Sequence, residues 1–200
     1  MIEIPVGLPA DLAPLSWLIG VWEGTGVIDY DADGHRFAGE FAHRVSFSHD
    51  GGSFLNYSAD ASLIQEDGTR APLVSEIGYW RLSRPATDAD AGPGLLPAVT
   101  SGAPRSADDV EALRTASGGF EIEVSLVHSD GISELYLGEI RGPRIDIATD
   151  AVVRPAGAKN YAAATRMYGL VENHLLWAWD IAALGNELGA HASARLAKVD

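Results

Sequence analysis

The chain has no cysteine, so disulfides, thiolate metal sites and thiol catalysis are excluded. Met1 and Met167 are its only methionines, which leaves little scope for a thioether ligand. Positive charge is scarce: 14 Lys and Arg against 28 Asp and Glu give a formal net charge of -14. Such a surface repels polyanions, so neither nucleic acid nor an anionic membrane is expected as a partner. No apolar run approaches the ~20 residues of a membrane span. Met1 to Pro5 has no basic region and no long apolar core, so no signal peptide is read and a cytoplasmic location is expected. Several catalytic signatures are missing: there is no GxSxG, no P-loop, no HExxH and no strand–GxGxxG–helix unit. The acidic residues are scattered, and no spacing picks out a glycosidase-like carboxylate pair.

What remains is a turn-rich globular sequence of 200 residues, 46% hydrophobic, with Gly 22 and Pro 10. That length suits one domain, 1–200, burying roughly 70% of its unfolded surface. Pro9 to Ile19 carries Leu12, Leu15, Leu18 and Ile19 near helical spacing, which predicts a short helix able to plug one end of the strand assembly after it. Gly20–Tyr30, Phe37–His49, Phe54–Gln65 and Pro72–Leu82 then alternate as strands, joined by Asp31-Ala32-Asp33-Gly34, Asp50-Gly51-Gly52 and Glu66-Asp67-Gly68. After a break, Phe120–His128, Ile132–Arg141, Arg144–Val153, Tyr161–Leu170, Leu175–Ile181 and Ala190–Val199 resume the rhythm. The fold class is all-β: an antiparallel up-and-down barrel of about ten strands, wide enough for a ligand. Ser83 to Gly119, with Pro85, Pro93, Pro97 and Pro104, reads as a long inserted loop. A helical turn fits Asp108 to Leu113, and the insertion is either a tolerated surface loop or a lid over the barrel mouth.

Within the first strand Gly24 and Gly26 share a face with Trp22. Two such glycines provide either sharp curvature or clearance for a flat ligand. Of the six histidines, His35, His43, His49 and His174 fall in or near predicted turns and strand ends and read as solvated or hydrogen-bonded surface residues. His43 and His49 share a parity but lie about 20 Å apart along an extended strand, too far to share a metal. His128 and His191 are the informative pair. His191 comes after a run of small residues near the end of LLWAWDIAALGNELGAHASARLAKV, Leu175 to Val199.

The opening Gly20-Val21-Trp22-Glu23-Gly24-Thr25-Gly26 (GxWxGxG) and the ending Trp179-Asp180-Ile181-Ala182-Ala183 with Leu188-Gly189-Ala190-His191 together resemble the nitrobindin family of haem-binding β-barrels with peroxynitrite isomerase activity. The resemblance spans nearly the whole chain apart from the insertion. It implies haem b as cofactor, with His191 as the proximal iron ligand and Lys159 as a haem contact beside a propionate. It places Gly24, Gly26, Val74, His128 and Ile181 around the cofactor. Ile181 stands where the family has Met. Leu73-Val74 replaces a Met-His pair found on the distal side in some members, so no distal histidine is expected from that strand. Asp31-Ala32-Asp33 stands in place of a Tyr-Pro-Thr segment. His128 aligns with a glutamine of the plant member and is not read as a ligand.

The implied activity is isomerisation of peroxynitrite to nitrate on ferric haem, with nitric oxide binding. The iron carries the chemistry, and the protein supplies an axial imidazole, a sheltered cage and access. The alternative is the same barrel serving as a lipocalin or fatty-acid-binding-like carrier of a small apolar ligand. A homodimer and a monomer both stay open. One conflict is internal to the sequence: in a regular final strand His191 would share its face with Ser193 and Arg195, opposite the apolar Ala192, Ala194 and Leu196. Either His191 precedes regular pairing or a bulge re-aims it.

Overall fold

The computed structural model describes residues 7–32, 34–102 and 105–199. The N-terminal stretch Met1 to Val6, the turn residue Asp33, and Ala103, Pro104 and Asp200 lie outside the described residues. Ten strands succeed one another: β1 (Gly20–Ala32), β2 (His35–Ser48), β3 (Leu55–Ile64), β4 (Arg70–Leu82), β5 (Phe120–His128), β6 (Ser133–Arg141), β7 (Arg144–Val153), β8 (Tyr161–Val171), β9 (His174–Ala183) and β10 (Gly189–Val199). Each pairs antiparallel with its sequence neighbour, and β10 returns to β1, so the sheet closes into a barrel with no free edge among the described residues. The alternating up and down course puts the β1–β2, β3–β4, β5–β6, β7–β8 and β9–β10 connections at one end, here the mouth.

The other end is sealed. Ala10–Leu18 forms a 3-10 helix with Pro14 inside it. Leu12, Leu15 and Leu18 are fully buried. Their spacing of three is the 3-10 repeat, which stacks all three leucines on one face. The Trp22 indole N–H donates to the Leu18 carbonyl at 2.7 Å, tying the plug to the GxWxGxG strand. The inserted segment lies at this same end, because β4 runs from the mouth to the plug. Its helical turn is α1 (Ala107–Glu111), opened by a Ser106–Asp109 capping box. Val110 is buried in the core, α1 packs on the plug helix, and Arg105 approaches Asp11 at 3.7 Å. The outer part, with Leu95 and Val99, is exposed. The lid reading is therefore corrected: this segment covers the plug rather than the mouth, and Val110 anchors it to the core.

Gly24 and Gly26 sit where β1 presses on β10. A Cβ at Gly24 would stand 2.3 Å from the Arg195 carbonyl oxygen; one at Gly26 would stand 2.3 Å from the Ser193 oxygen and 2.6 Å from the Phe41 ring. Neither glycine is among the residues that line the cavity at the mouth end. Close strand approach accounts for both.

Between plug and mouth lies a buried charged layer. Arg166, on β8, donates through Nη1 and Nη2 to the two carboxylate oxygens of Glu76 on β4, at 2.7 Å each. Its Nε donates to Tyr136 Oη at 2.9 Å, and Nη2 lies 3.3 Å from Glu134 on β6. Glu134 also accepts from Tyr136 Oη (2.7 Å) and Tyr161 Oη (2.6 Å), and Glu76 from Tyr57 Oη (3.1 Å). His128 Nε2 meets Glu134 at 2.7 Å. Burial pushes the Glu76 carboxyl up, but the charge and hydrogen bonds of Arg166, with His128 and His43 behind them, outweigh it and hold the pKa at about 2. Glu134 is held down in the same way against its burial, by His128 and Arg166.

Two outcomes are expected. Gly26→Ala should lower the unfolding free energy by about 1–3 kcal/mol through overpacking; an unchanged urea midpoint would show that β1 and β10 can spread. Because Glu76 is depressed in the folded state, its stabilisation is complete above the ordinary carboxylate range and is lost as pH falls toward about 2. Acid unfolding in that window should persist in about 0.5 M salt, which screens the exposed pairs but not this buried one. Acid resistance restored or abolished by salt alone would assign the effect to the surface instead.

Candidate active site

The mouth end holds a cavity of about 250 Å³. Its apolar lining comes from Ile28 on β1, Ala59 and Ala61 on β3, Leu73 and Val74 on β4, Ile132, and Ile181 on β9. Aromatic walls come from Tyr30, Phe41, Tyr161, Trp177 and Trp179. Glu76 and His128 bring the charged layer up to its floor, and Trp179 lies between that layer and the opening. The Arg166 guanidinium carbon stands 4.3 Å from the Trp179 ring centroid.

His191 enters this cavity because β10 is irregular there. Ala190 pairs with Asp180 and Ala192 with Trp179, so His191 is the extra residue of a β-bulge. The bulge resolves the parity conflict: His191 and Ala192 both line the cavity, while Ala194 and Leu196 continue the inward face below. The imidazole lies 4.6 Å from the Tyr30 ring and edge-on to Trp179 at 5.4 Å, centroid to centroid. Its Nδ1 is buried with no hydrogen-bond partner among the described residues. Burial alone lowers its pKa to about 4, so the ring is neutral near pH 7 and keeps a lone pair free. A neutral imidazole with an unsatisfied buried nitrogen, set among apolar and aromatic walls, has the donor chemistry that haem iron requires. The residues present therefore fit that group.

The other expected site residues divide clearly. Val74, His128 and Ile181 line the cavity with His191. Lys159 does not; it is exposed in the β7–β8 connection at the mouth end, its carbonyl accepting from Arg154 at 3.0 Å. The Asn186 side chain donates to the Asp31 carbonyl and so ties the β9–β10 turn to the β1–β2 hairpin beside the mouth.

His43 requires a correction. Its place in the sequence suggests a surface residue, yet it is 7% exposed and lines the same cavity. Its Nδ1 faces the Asp60 carbonyl at 3.1 Å, which can only accept, so that nitrogen carries the proton. Nε2 is buried without a partner among the described residues, and the ring packs between Phe41 and Trp177. Desolvation lowers its pKa. The parity shared with Phe41, Val45 and Phe47 is the available signal. Sequence reasoning also misses the charged layer. Glu76, Glu134 and Arg166 each stand on the inward face of a strand, between Val74 and Gly78, Ile132 and Tyr136, and Ala164 and Tyr168. A charge on an otherwise inward face marks a buried partner.

Comparison with known proteins places these features in a family. Residues 11–198 match the model of the THAP4-like, heme-binding beta-barrel domain. A peroxynitrite isomerase of Leifsonia xyli subsp. xyli is 64% identical over 200 residues, covering 100% of both chains. One from Kocuria rhizophila is 49% identical, over 100% of this chain and 96% of that one. The crystal structure of Rv2717c from M. tuberculosis superposes with a TM-score of 0.67 at 23% identity, over 99% of this chain and 100% of that one, and shows a shared fold. The chain belongs to the family of THAP4-like, haem-binding β-barrel domains.

Proposed function

We propose that this protein is a haem b-dependent peroxynitrite isomerase in which His191 would hold the iron, and that the same centre would bind nitric oxide. The observation that carries the site assignment is the β-bulge that turns into the cavity a neutral imidazole whose Nδ1 has no partner among the described residues. The family match and the peroxynitrite isomerases similar over the full chain support the activity. When bound, haem supplies the iron at which peroxynitrite rearranges to nitrate. The chain's own part is different. Tyr30 and Trp179 hold the His191 ring, Val74, Ala61 and Ile28 exclude water, and Trp179 rests on Arg166 so that the wall does not collapse inward. Lys159, exposed at the mouth end, would pair with a propionate; an exposed pair of that kind contributes at most about 1 kcal/mol. We place the activity in the cytoplasm.

Purified protein titrated with hemin should develop a histidine-ligated ferric Soret band and accelerate peroxynitrite decay to nitrate. His191→Ala should lose both while keeping the cooperative unfolding of the barrel. Protons compete with iron for the same nitrogen. The ring's low pKa therefore predicts haem retention that is flat around neutrality and falls as pH drops through about 4. His35→Ala, His49→Ala and His174→Ala should change none of these readouts. Unaltered hemin spectra in His191→Ala would overturn the assignment, and recovery of lipid in place of haem would give the carrier reading the lead.

A further inference from the structure

Two aromatic rings pack on the His191 imidazole, and the charges beside them differ in sign. Trp179 meets it edge-on at 5.4 Å, centroid to centroid, and Tyr30, on β1, lies 4.6 Å away. The Trp179 face carries the Arg166 guanidinium at 4.3 Å. A fixed positive charge there opposes withdrawal of an electron from the indole. Tyr30 borders instead on a surface pocket that holds Asp29, Asp31, Glu187 and Arg36, three carboxylates to one guanidinium. Arg36 is already spent on Asp29, to which its Nε and Nη2 both donate. Negative charge on that side favours electron loss from the phenol.

Among the described residues, two of the six tyrosines line the mouth cavity, Tyr30 and Tyr161. They are unequal in access. Tyr161 is 7% exposed, packs on His128 and Trp179, and gives its hydroxyl proton to Glu134 at 2.6 Å. Tyr30 is half-buried and packs on Phe37 at 5.7 Å as well as on His191. It lines both the mouth cavity and the surface pocket, so open volume adjoins its ring from two directions.

Resting on the peroxynitrite chemistry assigned to this cavity, we propose that Tyr30 is a modification site, nitrated at the ring carbon beside its hydroxyl by peroxynitrite that does not isomerise. One peroxynitrous acid supplies both the nitro group and the oxidising equivalents. Its O–O bond and one aryl C–H bond break; a C–N bond and a molecule of water form. The ring hydrogen leaves as a proton and ends in that water. The ring loses two electrons, and the peroxo group gains them. Nitrated Tyr30 then marks the molecules that have turned over.

The test is peptide mapping by mass spectrometry after pulses of peroxynitrite. Tyr79, on β4 and 56% exposed, reports nitration from bulk solution. Gallium protoporphyrin, flat like hemin but redox-inactive, controls for shielding of Tyr30 by the cofactor. The ratio of Tyr30 to Tyr79 nitration should be higher with hemin than with gallium porphyrin by about fivefold or more, because an oxidant generated in the cavity meets Tyr30 at high effective concentration. Equal ratios with the two porphyrins, in protein whose hemin form accelerates peroxynitrite decay, overturn the assignment to Tyr30 and leave the isomerase reading standing. Nitration that falls on Tyr161 in place of Tyr30 overturns it as well. A hemin form that does not accelerate the decay overturns the isomerase reading itself.

Discussion

The ion pair between Arg166 and Glu76 sets the interior of this barrel. Its residues are 90 positions apart in sequence and come from β8 and β4, so the paired hydrogen bonds tie non-adjacent walls through the interior. Stability alone does not explain the pair, because desolvating two charges offsets much of their attraction and apolar replacements are often as stable. Its consequences are positional. Arg166 supports the face of Trp179, aligns Tyr136, and with Glu134 fixes His128. Remove the guanidinium and both buried carboxylates lose the cation that compensates them, keeping only tyrosine hydroxyls and His128 as partners, which is the more damaging change. The cavity therefore ends where this layer begins, at a fixed depth beneath the mouth.

Three cavity histidines owe their different characters to what each is tied to. His191 has burial and no partner among the described residues, which keeps it neutral and its nitrogen free. His43 spends Nδ1 on the Asp60 carbonyl and turns Nε2 toward Trp177 and Phe41. Its ring is neutral as well, and it lies on β2, nearer in the ring order to His191 than to the facing wall. Of the three, His128 is the one backed by carboxylates. The same side chain thus stands with a free nitrogen, packed against aromatic rings, or tied to buried carboxylates, according to its partners.

Much of this is legible in the sequence. Alternation locates all ten strands, with Phe120–His128 and Arg144–Val153 matching to the residue, because each strand has one face on the core and one on solvent. The leucine spacing marks the plug, though the structure uses a three-residue repeat. His191 is legible only through family motifs. Parity argues against it, since a bulge adds one residue without any compositional mark at Ala190 or Ala192. His43 and the charged layer escape for another reason. Inward parity is visible at His43, Glu76, Glu134 and Arg166, but their partners lie on different strands, and strand order across a barrel interior is not written in local spacing. The insertion is legible as an insertion. Which end it covers comes from counting strands, since β4 must run away from the mouth that the β3–β4 turn occupies.

That end matters for how a flat cofactor can enter. A ten-stranded barrel would be open at both ends if its strands alone defined it. Here Leu12, Leu15 and Leu18 fill one end from within, and Val110 of the insertion packs against that plug from outside. The charged layer then divides the sealed apolar half from the cavity. At the mouth, Asn186 holds the β1–β2 and β9–β10 turns together through the Asp31 carbonyl. The asymmetry of the barrel, one end closed by plug and insertion, is what gathers His191, His43 and His128 around a single cavity at the other end.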